Sequence, residues 1–211
     1  MKKTLIKVCG ITNIDDIKYA SNIEDINYLG IIFAKESPRC VDLNLAEKLI
    51  NACDKKKKIV AVFMNQSKED VNSIIKNLDL DILQFHGHES VDFCNFFKKP
   101  FIKTFHIKNK ELNINMDFIK YAYAFLLDTS SGNTYGGTGK TFDWEILNQN
   151  KFFGDEGLSL PYLTAGGLNP SNIKDLISKY NPPGVDVSSG IESGIGKKDH
   201  LLMKKFIENV R

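Results

Sequence analysis

The sequence has no apolar run long enough to cross a bilayer. Its longest, residues 28–34 and 121–127, reach about a third of the ~20 residues that a spanning helix needs. The basic start, Met1-Lys2-Lys3, carries the charge of a secretory leader. Lys7 interrupts the apolar stretch behind it, so the segment reads as a strand. No CxxC pair occurs: Cys9, Cys40, Cys53 and Cys94 lie far apart, which argues against a disulfide scaffold and for reduced thiols in a cytoplasmic protein. An excess of one charge is lacking too. Lys and Arg number 28 against 26 Asp and Glu, a net charge of +2, so no global field draws in nucleic acid or an anionic membrane. Fifteen glycines and six prolines are too few for a collagenous or linker-like chain.

What is present is a soluble globular composition, 42% hydrophobic and 26% charged. The 211 residues suit one domain spanning 1–211, and a chain of this size buries about 70% of its unfolded surface. Short β-branched or aromatic runs recur at 5–9, 28–33, 59–64, 82–85, 101–106, 124–128, 162–165 and 184–187. Between them lie amphipathic helical patterns. Ala46, Leu49, Ile50 and Cys53 fall at i, i+3, i+4 and i+7. So do Val71, Ile74, Ile75 and Leu78, then Ile173, Leu176, Ile177 and Tyr180, then Met203, Phe206, Ile207 and Val210. Weaker helices are expected over 15–23, 89–97 and 113–121, with a turn at 142–147 and an Asn169 cap ahead of Pro170. Strand then helix, repeated eight times at about 26 residues per unit, fits an α/β fold. A single (β/α)8 TIM barrel is the compact solution, and an open doubly wound sheet the other. The Lys55–58 run is expected as a solvated turn at the barrel's non-catalytic end.

In such a barrel, chemistry gathers where strands end. Strand one ends in Cys9-Gly10, strand two leads to Ser37-Pro38-Arg39, and strand four ends Gln84-Phe85-His86-Gly87. Strand six ends in Asp128-Thr129, strand seven in Ala165-Gly166-Gly167, and strand eight runs Asp186-Val187-Ser188-Ser189-Gly190. Gly166 and Gly167 let backbone approach an anion, and Ser188, Ser189 and Gly190 add hydroxyls and open chain in the neighbouring loop, together a phosphate cup. Gly136-Gly137-Thr138-Gly139-Lys140-Thr141 mimics a nucleotide-binding loop. It has Thr134 where that motif needs glycine, and a lid hinged over residues 132–139 is the better reading. Cys9 and Asp128, on separate strands of one rim, are the candidate base and acid. The thiol needs help to ionise, and Lys7, two residues earlier on the same face, is placed to give it or to pair with a carboxylate. Arg39 can clamp a carboxylate with two parallel hydrogen bonds. His86 and His88 have no further ligands at metal-binding spacing, so no metal is expected.

Taken in order, these rim motifs, with Lys7-Val8-Cys9-Gly10-Ile11-Thr12 at the start and Phe142-Asp143-Trp144 after the glycine-rich loop, resemble the phosphoribosylanthranilate isomerase family over essentially the whole chain. Phe85 stands where an aliphatic residue is usual, and the stretch 153–160 is slightly long. The resemblance implies a cofactor-free Amadori rearrangement of N-(5-phosphoribosyl)anthranilate to 1-(2-carboxyphenylamino)-1-deoxyribulose 5-phosphate, in tryptophan biosynthesis. It implies Asp128 as general acid and Cys9 as general base, with Arg39 on the anthranilate carboxylate. It implies Gly166, Gly167, Ser188 and Ser189 on the phosphate. Gln84, His86, Asp186 and Gly190 complete the expected binding residues, and a monomer is the expected state. There are two rival readings. The histidine-pathway aminoaldose isomerase resembles this barrel but has a carboxylate in place of Cys9 and needs a second phosphate site. A non-catalytic sugar-phosphate-binding barrel would need no acid and base together.

Overall fold

The computed structural model describes residues 3–107, 112–131, 134–135, 141–149 and 160–211. Eight parallel strands close into a barrel: β1 Leu5–Cys9, β2 Tyr28–Ile32, β3 Lys58–Phe63, β4 Ile82–Phe85, β5 Phe101–Ile107, β6 Ala124–Ser131, β7 Tyr162–Thr164 and β8 Gly184–Val187. Each of β1 to β5 pairs with the next, β5 pairs with β6, β6 with β7, β7 with β8, and β8 returns to β1. The open sheet is therefore excluded. Alternation along each strand sorts side chains onto two faces. Val60, Ile82, Ile102, Leu126 and Leu163 fill the barrel's inside, while a larger core that includes Ile6, Val8, Leu29 and Phe63 packs against the helices.

The helices begin where short polar side chains take up free N–H groups. Asn13 opens α1 Ile14–Ser21, Asp42 opens α2 Leu43–Ala52, Ser67 opens α3 Lys68–Asn77 and Ser90 opens α4 Val91–Phe96. Beyond the four-residue α5 Ile146–Gln149, α6 spans Ile173–Tyr180 and α7 His200–Val210, the latter capped by Asp199. Several expectations need adjusting. The 113–121 pattern forms only a 3-10 turn, Met116–Lys120: Ile114 and Phe118 are buried and Ile119 half-buried, while Met116 and Tyr121 stay exposed, so there is no full apolar stripe for an α-helix to bury. Asn169 accepts the N–H of Ser171 and so shapes a turn across Pro170, but α6 itself starts after Asn172. Lys57 is not solvated: its ammonium is tucked against the carbonyls of Ile23, Glu24 and Ile26 at 2.6, 3.2 and 2.8 Å. The expected lid over 132–139 and the 153–160 segment lie outside the described residues, apart from a short pairing of Thr134–Tyr135 with the end of β6 and Leu160. No described helix is long and apolar enough to cross a membrane.

Candidate active site

Going round the mouth, the topology places Arg39 after β2, Cys9 on β1, Ser188-Ser189-Gly190 after β8, Gly166-Gly167 after β7, and Asp128 on β6. Cys9 and Asp128 are thus separated by the two strands whose loops carry Gly166, Gly167, Ser188, Ser189 and Gly190.

Cys9 sits in register with Gly30 on β2. A Cβ at Gly30 would stand 2.7 Å from Cys9 Sγ, so the missing side chain is what makes room for the thiol. Two residues down the same inner face, Lys7 is in register with Asp186 on β8, and Lys7 Nζ donates to Asp186 Oδ1 at 2.9 Å. Lys7 is 0% exposed. An ammonium so buried requires an anionic partner, since desolvating it alone costs several kcal/mol. Burial by itself lowers the Lys7 ammonium, but Asp186 and Cys9 together lift it above the ordinary lysine value. Burial pushes the Cys9 thiol up, with Lys7 opposing and Asp186 reinforcing the rise. Lys7 therefore does both things the sequence allowed: it pairs with a carboxylate and favours the thiolate. The four cysteines are all free thiols.

Arg39 is held by a residue the sequence reading missed. Its Nε and Nη2 donate to the two carboxylate oxygens of Glu192 at 2.7 and 2.6 Å, and Lys198 Nζ donates to the same carboxylate at 2.7 Å. Burial alone would raise Glu192, but Arg39 and then Lys198 bring it below the usual carboxylate value. Burial lowers the Lys198 ammonium, which Glu192 partly restores. Glu192 thus takes up the Nε/Nη2 edge of the Arg39 guanidinium and fixes its plane, leaving the Nη1/Nη2 end as the edge on which a second carboxylate could sit. Glu192 carries no sequence signal beyond its place four residues past Ser188, and its partner Lys198 comes from a separate two-residue strand. Gly10, at φ +75, brings the β1 loop over Arg39: a Cβ there would lie 2.6 Å from Arg39 Cδ and 3.0 Å from Ser188 Oγ.

The cup is tight. Gly166 and Gly167 have φ of +82 and +63, a region that glycine enters without cost. A Cβ on Gly166 would collide with Thr129 Oγ1 and lie 2.9 Å from Asp128 Oδ1, so the loop runs directly against the Asp128 carboxyl group. Gly190 packs against the Leu168 carbonyl with no space for a side chain, which ties the loops after β7 and β8 together. Ser188 precedes a 3-10 turn, Ser189–Ile191, without using its side chain as a cap.

Asp128 is buried, and its Oδ1 accepts the Thr129 N–H at 2.7 Å. Its Oδ2 is 3.4 Å from His86 Nε2. His86 Nδ1 lies 3.1 Å from Thr104 Oγ1 and 3.3 Å from Gln84 Nε2, so Gln84, almost fully buried, supports His86 from below. His106 on β5, in register with Asp128, is the second residue that sequence reading passed over. His106 Nε2 donates to the His86 carbonyl at 2.9 Å, and burial, followed by the His86 ring, holds its imidazole below the usual histidine value. The missing signal was spatial: His86 and His106 are twenty residues apart and meet only because β4 and β5 are neighbours. His88 turns away, exposed, with its N–H on Asn65 Oδ1.

A closed (β/α)8 barrel that gathers a buried thiol, buried carboxyl groups and glycine- and serine-rich loops at the ends of its strands has the build of a TIM-barrel enzyme. The sequence of residues 6–209 matches the family model of N-(5'-phosphoribosyl)anthranilate (PRA) isomerase. It is 44% identical over 206 residues to the N-(5'-phosphoribosyl)anthranilate isomerase of Legionella pneumophila (strain Paris), covering 97% of this chain and 96% of the relative. Among solved structures it is similar to monomers of the dimeric Thermotoga maritima enzyme, with 29% identity, a TM-score of 0.78 and 98% of each chain covered. It is similar also to a phosphoribosylanthranilate isomerase in complex with reduced 1-(o-carboxyphenylamino)-1-deoxyribulose 5-phosphate, with 28% identity, a TM-score of 0.81 and 98% of each chain covered. The chain belongs to the phosphoribosylanthranilate isomerase family, aldose–ketose isomerases of tryptophan biosynthesis.

Proposed function

We propose that the mouth of this barrel converts N-(5-phosphoribosyl)anthranilate to 1-(2-carboxyphenylamino)-1-deoxyribulose 5-phosphate with Asp128 as acid and Cys9 as base. The observation that carries the assignment is their placement: both are buried, and the β7 and β8 loops lie between them. A phosphate anchored on Gly166, Gly167, Ser188, Ser189 and Gly190 sets the ribose between the two groups. Asp128 gives its proton to the furanose ring oxygen as the C1′–O bond breaks, and the anthranilate nitrogen supplies the electron pair of the resulting iminium. Cys9 thiolate then takes the C2′ proton, and the C–H electrons flow to the iminium nitrogen to give an enolamine. Tautomerisation of the enol yields the ketone, so no redox cofactor is consumed.

Lys7 is the group that supports the thiolate, with Asp186 holding Lys7. His86, braced by Gln84 and Thr104, orients the Asp128 carboxyl group. Arg39 takes the anthranilate carboxylate, sharing its fork with Glu192. The working form is taken to be a cytoplasmic monomer. The test is product formation. Phosphoribosylanthranilate, generated in situ, is expected to give the isomeric ketose by mass-resolved chromatography, while the histidine-pathway aminoaldose is expected to give none. Turnover of the second substrate with none of the first would overturn the assignment.

A further inference from the structure

One cluster at the mouth exceeds what the rearrangement requires. His86, His106 and Asp128 each offer a ligand atom within 4.8 Å of the others. Two ligands bound about 2.0–2.2 Å from a tetrahedral zinc ion stand roughly 3.3–3.5 Å apart. His86 Nε2 and Asp128 Oδ2, at 3.4 Å, already have that spacing. His106 is brought in by strand register, and its ring meets that of His86 edge to face, with 4.9 Å between centroids.

The outer hydrogen bonds suit ligation as well. A carbonyl can only accept, so the contact to the His86 carbonyl puts the proton of neutral His106 on Nε2 and its lone pair on Nδ1. His86 Nδ1 faces the Thr104 hydroxyl at 3.1 Å, which can accept or donate, and the Gln84 amide nitrogen at 3.3 Å, which can only donate; a metal on His86 Nε2 takes the tautomer with its proton on Nδ1, for which Thr104 Oγ1 is the acceptor. Partners of this kind orient metal-binding imidazoles. Two imidazoles and one carboxylate, with further positions open to the mouth, form a donor set that favours Zn²⁺ over Mg²⁺ or Ca²⁺.

We propose that His86, His106 and Asp128 bind a Zn²⁺ ion that inhibits the isomerase. The ion is a regulator and not a resident cofactor: a carboxylate bound to zinc has no proton to give the ring oxygen. Binding stands on the geometry alone. Inhibition rests in addition on the acid role proposed for Asp128.

The full chain, freed of any histidine tag, is titrated with Co²⁺ as a spectroscopic substitute for zinc. One equivalent is expected to give visible d–d absorption without thiolate charge transfer, and Zn²⁺ is expected to displace it. Turnover is expected to fall with Zn²⁺ and return with a chelator. His106→Gln keeps an N–H for the His86 carbonyl. It is expected to lose the cobalt spectrum and, measured against its own zinc-free turnover, to weaken Zn²⁺ inhibition at least about tenfold, the scale of losing even an outer partner. His106→Asn serves the same purpose should the longer amide disturb folding. Absence of a cobalt spectrum, thiolate charge transfer that places the metal on Cys9, or undiminished inhibition in both variants would overturn the site. A cobalt spectrum that His106→Gln abolishes, with wild-type turnover indifferent to zinc, would keep the site and count against Asp128 as the acid.

Discussion

The decisive residues work through their neighbours. Cys9 is not a reactive surface thiol: burial raises it, and Lys7 is the main group pulling it back. Its alkylation by iodoacetamide, followed peptide by peptide, is therefore expected to keep rising with pH beyond the ordinary thiol range. Lys7→Met removes the charge that favours the thiolate, so the rise is expected at still higher pH. Unchanged or faster alkylation of Cys9 in folded Lys7→Met would contradict this. Arg39, proposed to hold the substrate carboxylate, is itself tied to the fold through Glu192. Arg39→Ala is expected to raise KM with little change in kcat, because a carboxylate clamp acts alike in ground and transition states. It is also expected to cost about 1.5–3 kcal/mol of stability, the scale of a charge-assisted hydrogen bond, read by urea unfolding. The sequence made Cys9, Asp128 and Arg39 visible because each ends or follows a strand. It could not show Glu192 closing on Arg39 or His106 beside Asp128, since both meetings depend on which strands become neighbours.

At the scale of elements, strand register positions the chemistry. Lys7 meets Asp186, Cys9 meets Gly30 and His106 meets Asp128 because the parallel pairings align them. Every barrel strand was legible from its short apolar run, and the four strongest helices from their 3.6-residue stripes. Of the weaker patterns, 15–23 and 89–97 form α1 and α4, whereas over 113–121 only Ile114 and Phe118 are buried and Ile119 half-buried, with Tyr121 exposed, and a 3-10 turn is enough to bury them. Gly30 looked like an ordinary apolar-strand residue, yet its missing side chain houses the thiol. Gly30→Ala is expected to displace Cys9 and cut kcat by about 10²-fold for a 1 Å shift, with a stability cost of about 1–3 kcal/mol from overpacking. Full activity in this variant, with an unshifted melting curve, would show that the Cys9 position is not what Gly30 protects.

For the molecule as a whole, closure of the barrel brings residues from both ends of the chain into one mouth. Cys9 and Arg39 come from the first two units, and Glu192 and Lys198 from the last. The Glu192 carboxylate is the joint, and its depressed pKa makes the joint sensitive to acid. The contribution is complete above the ordinary glutamate value and disappears as pH falls through the lower value of the folded state. Wild type is accordingly expected to lose stability over that acid interval, as measured by urea unfolding at stepped pH. Glu192→Gln is expected to be less stable at neutral pH but to show a shallower loss across the same interval. Parallel pH profiles would contradict the linkage.

The central claim is that an acid on β6 and a base on β1 act on one phosphate-anchored sugar. It is tested most directly by following the disappearance of phosphoribosylanthranilate fluorescence with wild type, Cys9→Ala and Asp128→Ala side by side, each checked for fold by circular dichroism. Wild-type turnover with kcat reduced about 10²–10⁴-fold in each variant is the expected result, the usual worth of a general acid or base. Near-wild-type kcat in either folded variant would contradict the account and remove that residue from the chemistry.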